Sequence, residues 1–418
     1  MIKISKSWIE KKDLHVYLMT TVEIPDEAIE NWKKFTKKCD AYTYLKEDYT
    51  IENNKITLWY QVEEKYASYF SLDRNDGFLI GMLYYAMATG QDIVSELPIS
   101  SKLLFTLNYI VIPIFCSRYT DFKRIFIKAD GIDTPCECLQ KVGAGMSCGI
   151  DSLYTVHSLQ ENYINKEYQL TCLTFIDTGA SHYLPHIPVT ASLEEINKEA
   201  DKIHQEKMKK AKEVAKELQM DFMEIRSNIS DIYQGMFSQS HAYRNIGAVL
   251  ALQKYFGKYY YSSSGYPITE FNPSLYLDPA HGEQVLIPSL STDGLELICS
   301  GEARTRYIKT EELADDKIAQ KYLNVCSLDE NCGHCSKCYR TMILLDVLGK
   351  LEEFKEVFDI EDYKRHKTKA YLWLMKNKKG DHFAREIYVN ARKKKMIPIP
   401  TLILGEIYYL IVKIKRAL

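Results

Sequence analysis

The 418-residue chain has no Gly-Lys-Ser/Thr closing a glycine-rich turn, so it carries no Walker phosphate loop. It has no G-x-G-x-x-G, which excludes the usual dinucleotide fingerprint. No apolar run reaches the length of a membrane span. Met1–Ile9 holds Lys3, Lys6 and Trp8 but no apolar core, so no secretory leader is expected. Charge of one sign is also lacking: the formal net charge is −2, which gives no overall nucleic-acid footprint. What remains is a globular composition, 46% hydrophobic and 26% charged, long enough for one large or two ordinary domains. Cysteine is the exception. There are eleven, an odd number, and four crowd between Cys326 and Cys338. Without a leader, that pattern predicts a reducing cytoplasm and a metal cluster rather than disulfides.

One stretch organises the rest. Val142–Met146 is a short apolar run, Ser147-Cys148-Gly149-Ile150-Asp151-Ser152 is a tight polar turn, and Leu153, Val156 and Leu159 recur at helical spacing. Strand, loop and helix in that order leave free N–H groups at the positive end of a helix, where an anion is stabilised. Gly149 admits a phosphate close to the backbone. Ser147 and Ser152 offer hydroxyl donors, and Asp151 offers a carboxylate for a magnesium ion. The plainer reading is an ordinary βα turn with a serine cap.

Residues 1–135 read as a separate α+β module, with strands at Leu14–Glu23 and Lys55–Val62 and a buried helix at Phe78–Ala88. A helix from Ser100 to Tyr109 is expected to end before Pro113. Residues 136–322 alternate strand and helix, which predicts α/β with a doubly wound parallel sheet. Gln169–Ile176 is apolar as a doubly buried strand would be, and it ends at Asp177, placed to meet a ribose hydroxyl or a metal, or to cap the turn. Residues 183–190 read as a surface loop or a lid. Leu193–Leu218 is a long helix with an apolar stripe through Met208, Ala211, Val214, Ala215 and Leu218. Arg244-Asn245 opens an apolar helix, with the arginine suited to phosphate and the asparagine to capping. Lys258–Ser264 is a strand closing on Gly265.

Cys326-x5-Cys332-Gly-His-Cys335-Ser-Lys-Cys338-Tyr-Arg340 lies within residues 323–345, which read as a four-cysteine knuckle. Four thiolates with C-x-x-C spacing twice over can wrap one tetrahedral Zn2+. Such a closed site has no open position, so a structural role is expected. Residues 346–418 read as helical. The last stretch, Thr401–Leu418, is apolar along Leu402, Ile403, Ile407, Leu410, Ile411 and Ile414, with Lys413, Lys415 and Arg416 at its end. Docking on its own domain is the first expectation, a membrane-surface or partner helix the second.

The loop resembles the S-G-G-x-D-S loop of the PP-loop ATP pyrophosphatases, with Cys148 replacing the first glycine. An Arg-Asn helix followed by a strand ending in glycine has the same order in that superfamily. With the C…CGxCxKCxxR knuckle, residues 140–345 are similar to the 7-cyano-7-deazaguanine synthase family. Leu323-Asn324-Val325 replaces that family's tryptophan–serine context, and the first cysteine stands closer to the triplet, so a divergent relative is implied. The resemblance implies an adenine nucleotide alpha hydrolase-like (HUP-type) fold and an AMP-forming ligase. A carboxylate or amide carbonyl would be adenylated, ATP would yield AMP and pyrophosphate, and ammonia or another nucleophile would displace AMP. ATP would meet Ser147, Cys148, Gly149, Asp151, Ser152, Asp177, Arg244, Asn245 and Gly265. Asp151, Ser147, Ser152 and Arg244 would carry the chemistry. The family brings a lysine from the region of Leu290–Tyr307. None stands at the matching place, and Arg304 or Arg306 is expected to take its part. The substrate would be a small molecule, a modified base or a protein, and a homo-oligomer is compatible. Two other readings stay open: a sulfur-transferring PP-loop enzyme, and a non-catalytic nucleotide-binding scaffold. No glutaminase domain is visible.

Overall fold

The computed structural model describes residues 1–38, 53–160, 165–182, 184, 187, 191–233, 236–264, 266 and 279–407. Gly265, residues 183, 185–186 and 188–190 of the expected loop or lid, and residues 408–418 lie outside the described residues.

The N-terminal strands are β1 (Ile2–Ile4), β2 (Trp8–Lys12), β3 (His15–Glu23), β4 (Lys55–Glu63), β5 (Ile93–Ser95), β6 (Ile99–Ser100), β7 (Ile127–Lys128) and β8 (Gly131–Ile132). The helices among them are α1 (Asp26–Lys38), α2 (Asp76–Thr89), α3 (Ser101–Thr106) and α4 (Ile112–Arg118). The following strands are β9 (Lys141–Gly145), β10 (Cys172–Asp177), β11 (Asp221–Ser227), β12 (Phe256–Ser262) and β13 (Glu296–Ser300). The helices between them are α5 (Ile150–Ser158), α6 (Leu193–Glu217), α7 (Ser230–Tyr233), α8 (Phe237–Ala251) and α9 (Glu283–Ser289). The chain continues through α10 (Arg306–Glu312), α11 (Lys317–Tyr322), α12 (Ser336–Leu348), α13 (Ile360–Asn377) and α14 (His382–Lys393).

The last five strands are parallel and lie in the order β13-β12-β9-β10-β11. Counted from β9, that is 3-2-1-4-5 read from β11, the doubly wound order. It reverses between β9 and β12. Both faces are covered, because alternate residues enter different cores. Leu173 and Phe175 of β10 pack with Ala211, Val214 and Ala215 of α6. Cys172 packs with the core that holds Ile246 and Val249 of α8. The expected stripe of α6 is thus its buried face, and a Ser192–Glu195 capping box starts that helix.

The sheet does not stop at residue 135. β4 pairs antiparallel with β11, Arg226 opposite Gln61, so β4, β3, β1, β5 and β7 extend one eleven-stranded sheet. All of α2 is buried, as its unbroken apolar run predicts. It crosses α8 closely because glycines meet there. A Cβ on Gly77 would lie 2.7 Å from the Gly247 carbonyl oxygen. The expected stop before Pro113 is corrected. A π-helical turn, Leu107–Val111, shifts the hydrogen-bond register. Pro113 then falls in the first turn of α4, where its missing N–H costs nothing.

Candidate anion site and thiolate cluster

The C-terminal ends of the parallel strands share one edge, and ligands of such sheets bind where the strand order reverses. The Ser147–Ser152 turn leaves β9 at that point and enters α5. Ser147 Oγ and Ser152 Oγ lie 3.3 Å apart, Ser152 Oγ donates to the Gly149 carbonyl (3.1 Å), and the Ser147 N–H donates to Ser152 Oγ (3.3 Å). Gly149 precedes α5 with no side-chain cap, leaving the first N–H groups of the helix available. Cys148 adopts φ 58° and is buried. Burial pushes its thiol up to about 12, so it is no nucleophile at neutral pH.

Cations converge on this turn from distant parts of the chain. Asp151 accepts from Arg306 Nη2 and, at 3.2 Å, from Lys309 Nζ, both on α10. The two cations also bind the end of β12. Lys309 Nζ donates to the Ser263 carbonyl (2.6 Å) and Arg306 to the Ser264 carbonyl (3.1 Å). Burial would raise the Asp151 carboxyl, but Arg306 and Lys309 outweigh it and hold it below its ordinary value. Arg340 of α12 joins them. Its guanidinium lies 4.5 Å from the Phe383 ring centre, and that of Arg306 lies 4.8 Å from the same ring. Burial and the neighbouring Arg306 push Arg340 down to about 10. The Nε atoms of Arg306 and Arg340 are buried without an acceptor among the described residues. Unsatisfied buried guanidinium donors are costly, and an anionic ligand would satisfy them.

Lys309, two residues past the Leu290–Tyr307 region, was not singled out from the sequence. It lies five residues beyond Arg304, one helical turn into α10, and is wholly buried. Arg306 is brought to the loop, whereas Arg304 stays at the surface, paired with Glu312 at 2.9 Å. Glu283 of α9 was missed too. It is wholly buried and accepts from the Ser264 N–H, and burial pushes it up to about 7.

Arg244 and Asn245 sit in the middle of α8 rather than at its start, which is Phe237, so Asn245 caps nothing. Arg244 is buried, donates to the Thr178 carbonyl (3.1 Å) and stacks 4.1 Å over Tyr233. Asn245 Oδ1 accepts from the Thr178 hydroxyl at 2.6 Å. The pair therefore braces the end of β10. Asp177 is engaged as well. One oxygen accepts from the Gly179 N–H (3.1 Å), which is the turn-capping reading, and the other lies 2.9 Å from His204 Nδ1. His204 Nε2 reaches Glu224 at 2.6 Å. This buried carboxylate–imidazole–carboxylate chain ties β10 and β11 to α6. His204 lies on the α6 stripe, four residues before Met208, and that position was its only sequence signal.

The four knuckle thiols gather with all sulfurs within 4.8 Å of one another. Cys326 and Cys335 are 3.9 Å apart, Cys332 and Cys338 4.0 Å. Zn–S bonds of ~2.3 Å place tetrahedral sulfurs ~3.8 Å apart, so the donor set fits zinc. The Cys335 and Cys338 N–H groups point at the Cys332 and Cys335 sulfurs, both at 3.4 Å. The knuckle is joined to the anion site. Its lead-in residue Asn324 donates to the Cys148 carbonyl (2.8 Å), and Arg340 follows Cys338 by two residues on α12.

No protein-family model, curated protein or solved structure matches this chain.

Proposed function

We propose that the chain is an AMP-forming, ATP-dependent ligase of the PP-loop pyrophosphatase type, HUP-like in fold and similar to the 7-cyano-7-deazaguanine synthase family. In this reading ATP is cleaved to AMP and pyrophosphate while a carboxylate or amide oxygen of the substrate is activated at the α-phosphorus. Ammonia or another nucleophile then displaces AMP.

The convergence of Arg306, Lys309 and Arg340 on Asp151 and the Ser147–Ser152 turn carries this reading. A polyphosphate is the anion that such a cluster fits in size and charge. The turn supplies N–H and hydroxyl donors, and the three cations offset the charge that develops on pyrophosphate as it leaves. Mg2+ would take Asp151 from one of its two cationic partners. The buried thiol of Cys148 weighs against sulfur transfer through the loop.

Calorimetry with inorganic pyrophosphate and an α,β-methylene ATP analogue tests the site directly. Lys309→Met should weaken both by roughly ten- to a hundredfold, as loss of one charge-assisted hydrogen bond does. Failure of the wild-type protein to bind either, or an unchanged affinity in Lys309→Met, would refute the proposal. Once a substrate turns over, ADP as the product would refute it equally, because this loop lacks the lysine of γ-phosphoryl transfer.

A further inference from the structure

One buried acid stands behind the cation cluster and has no part in the chemistry above. Glu283 opens α9 and has no exposed surface. It lies against the end of β12, where each backbone group has a different task. The Ser263 and Ser264 carbonyls accept from Lys309 and Arg306, and the Ser264 N–H donates to Glu283 Oε1. The other carboxyl oxygen lies 3.4 Å from Ser264 Oγ. Ser263 Oγ is also buried, without a partner among the described residues. The two cations are spent on Asp151 and on the two carbonyls, so no ion pair holds Glu283 among the described residues.

An ionised carboxylate in that place has one backbone donor and the neighbouring hydroxyls for about four lone-pair sites. A protonated carboxyl needs fewer donors, and the Ser263 and Ser264 hydroxyls can accept its hydrogen bond. The surroundings leave the two forms nearly balanced. Burial raises the carboxyl to about 7, the Ser264 N–H and His241 of α8 work against it, and Asp151 of α5 adds to it. Cys299 of β13 is held protonated by burial, and both Glu283 and Glu302 raise it further. His281, in the turn before α9, stacks on Tyr266 at 4.1 Å. The π-helical turn that packs on α9 brings Tyr109, which is exposed. A polyphosphate held by Arg306 and Lys309 would place further negative charge on the far side of the Ser263–Ser264 segment. That charge favours the protonated carboxyl, so anion and proton would bind together.

We propose that Glu283 is the proton switch of the anion site: it takes up a proton from water when a polyphosphate binds and releases it when the anion leaves. This rests on the nucleotide reading above. Calorimetry of inorganic pyrophosphate binding to the zinc-loaded full chain, from about pH 6 to about pH 8.5, tests it in the wild type and in Glu283→Gln. The amide keeps an acceptor for the Ser264 N–H and cannot titrate, so circular dichroism and zinc content should not change. Near pH ~6 the two proteins should bind alike. Toward pH ~8.5 the wild type should weaken relative to the variant by roughly tenfold, as one added like charge close to the anion does. Repeating the titration near pH ~7.5 in buffers of different ionisation enthalpy should show the wild type taking up a larger fraction of a proton than the variant. In the wild type alone, the infrared difference spectrum on binding should gain a protonated-carboxyl band. Equal pH dependence in the two proteins, or a wild-type spectrum without that band, overturns the proposal and leaves the nucleotide reading standing. A wild type that binds no pyrophosphate at any pH overturns both.

Discussion

His204 gives the sharpest quantitative test of the fold that holds the site. Burial alone would lower the pKa of its imidazole, but the ion pair with Asp177 and the hydrogen bond to Glu224 outweigh both burial and nearby Arg226 and raise it to about 9. In the unfolded chain the ordinary value is 6.5. A folded pKa above the unfolded one contributes stability that is fully present below pH ~6.5 and lost as pH rises through ~9. The shift from 6.5 to about 9 corresponds to about 3 kcal/mol. The same attraction lowers Asp177 and Glu224, so it is counted once on the alkaline limb. On the acid limb it is lost as pH falls below the ordinary carboxylate range. Urea unfolding of the wild type and of His204→Gln between about pH 6 and about pH 10 reads it out. The stability difference should be largest near pH 6 and shrink by about 3 kcal/mol at the alkaline end. A difference that stays constant over that range would show that folding does not raise the His204 pKa and would sink the argument.

Two further perturbations probe other joints. Cys335→Ser should cost the protein its zinc, about one ion per chain, and open α12 to protease; elemental analysis that still finds stoichiometric zinc in the variant counts against the four-thiolate site. Gly77→Ala should destabilise by about 1–3 kcal/mol, because its methyl would press on the Gly247 carbonyl at the α2–α8 crossing; an unchanged melting temperature would mean that the crossing relaxes freely.

Patterns within one element were legible in the sequence. The loop, the α6 stripe, the fully apolar α2 and the paired C-x-x-C spacing each state their structure within a few residues. Contacts between elements were not. Lys309 and Arg306 reach Asp151 across more than 150 residues, and a single chain shows nothing that links such positions. The α8 boundary was misjudged at Arg244 because Phe237–Tyr243 carries serine and histidine, polar residues that read as a loop until tertiary packing makes them helix. The continuity of the sheet across residue 135 was hidden for the same reason. The pairing of β4 with β11 leaves no mark on either strand, since each reads as an ordinary strand by itself.

That pairing has a consequence for the chain as it leaves the ribosome. Gln61 and its partner Arg226 are 165 positions apart. At ~5–20 residues per second, roughly 10 to 30 s separate their synthesis. Throughout that interval β4, with Leu58, Tyr60 and Val62, has β3 on one side and an open backbone edge on the other. An apolar edge left open is a template for pairing with another nascent chain. Polysomes carrying this message should therefore be where misassembly begins, and slowing elongation between residues 64 and 220 should lower the yield of soluble protein more than slowing it anywhere later.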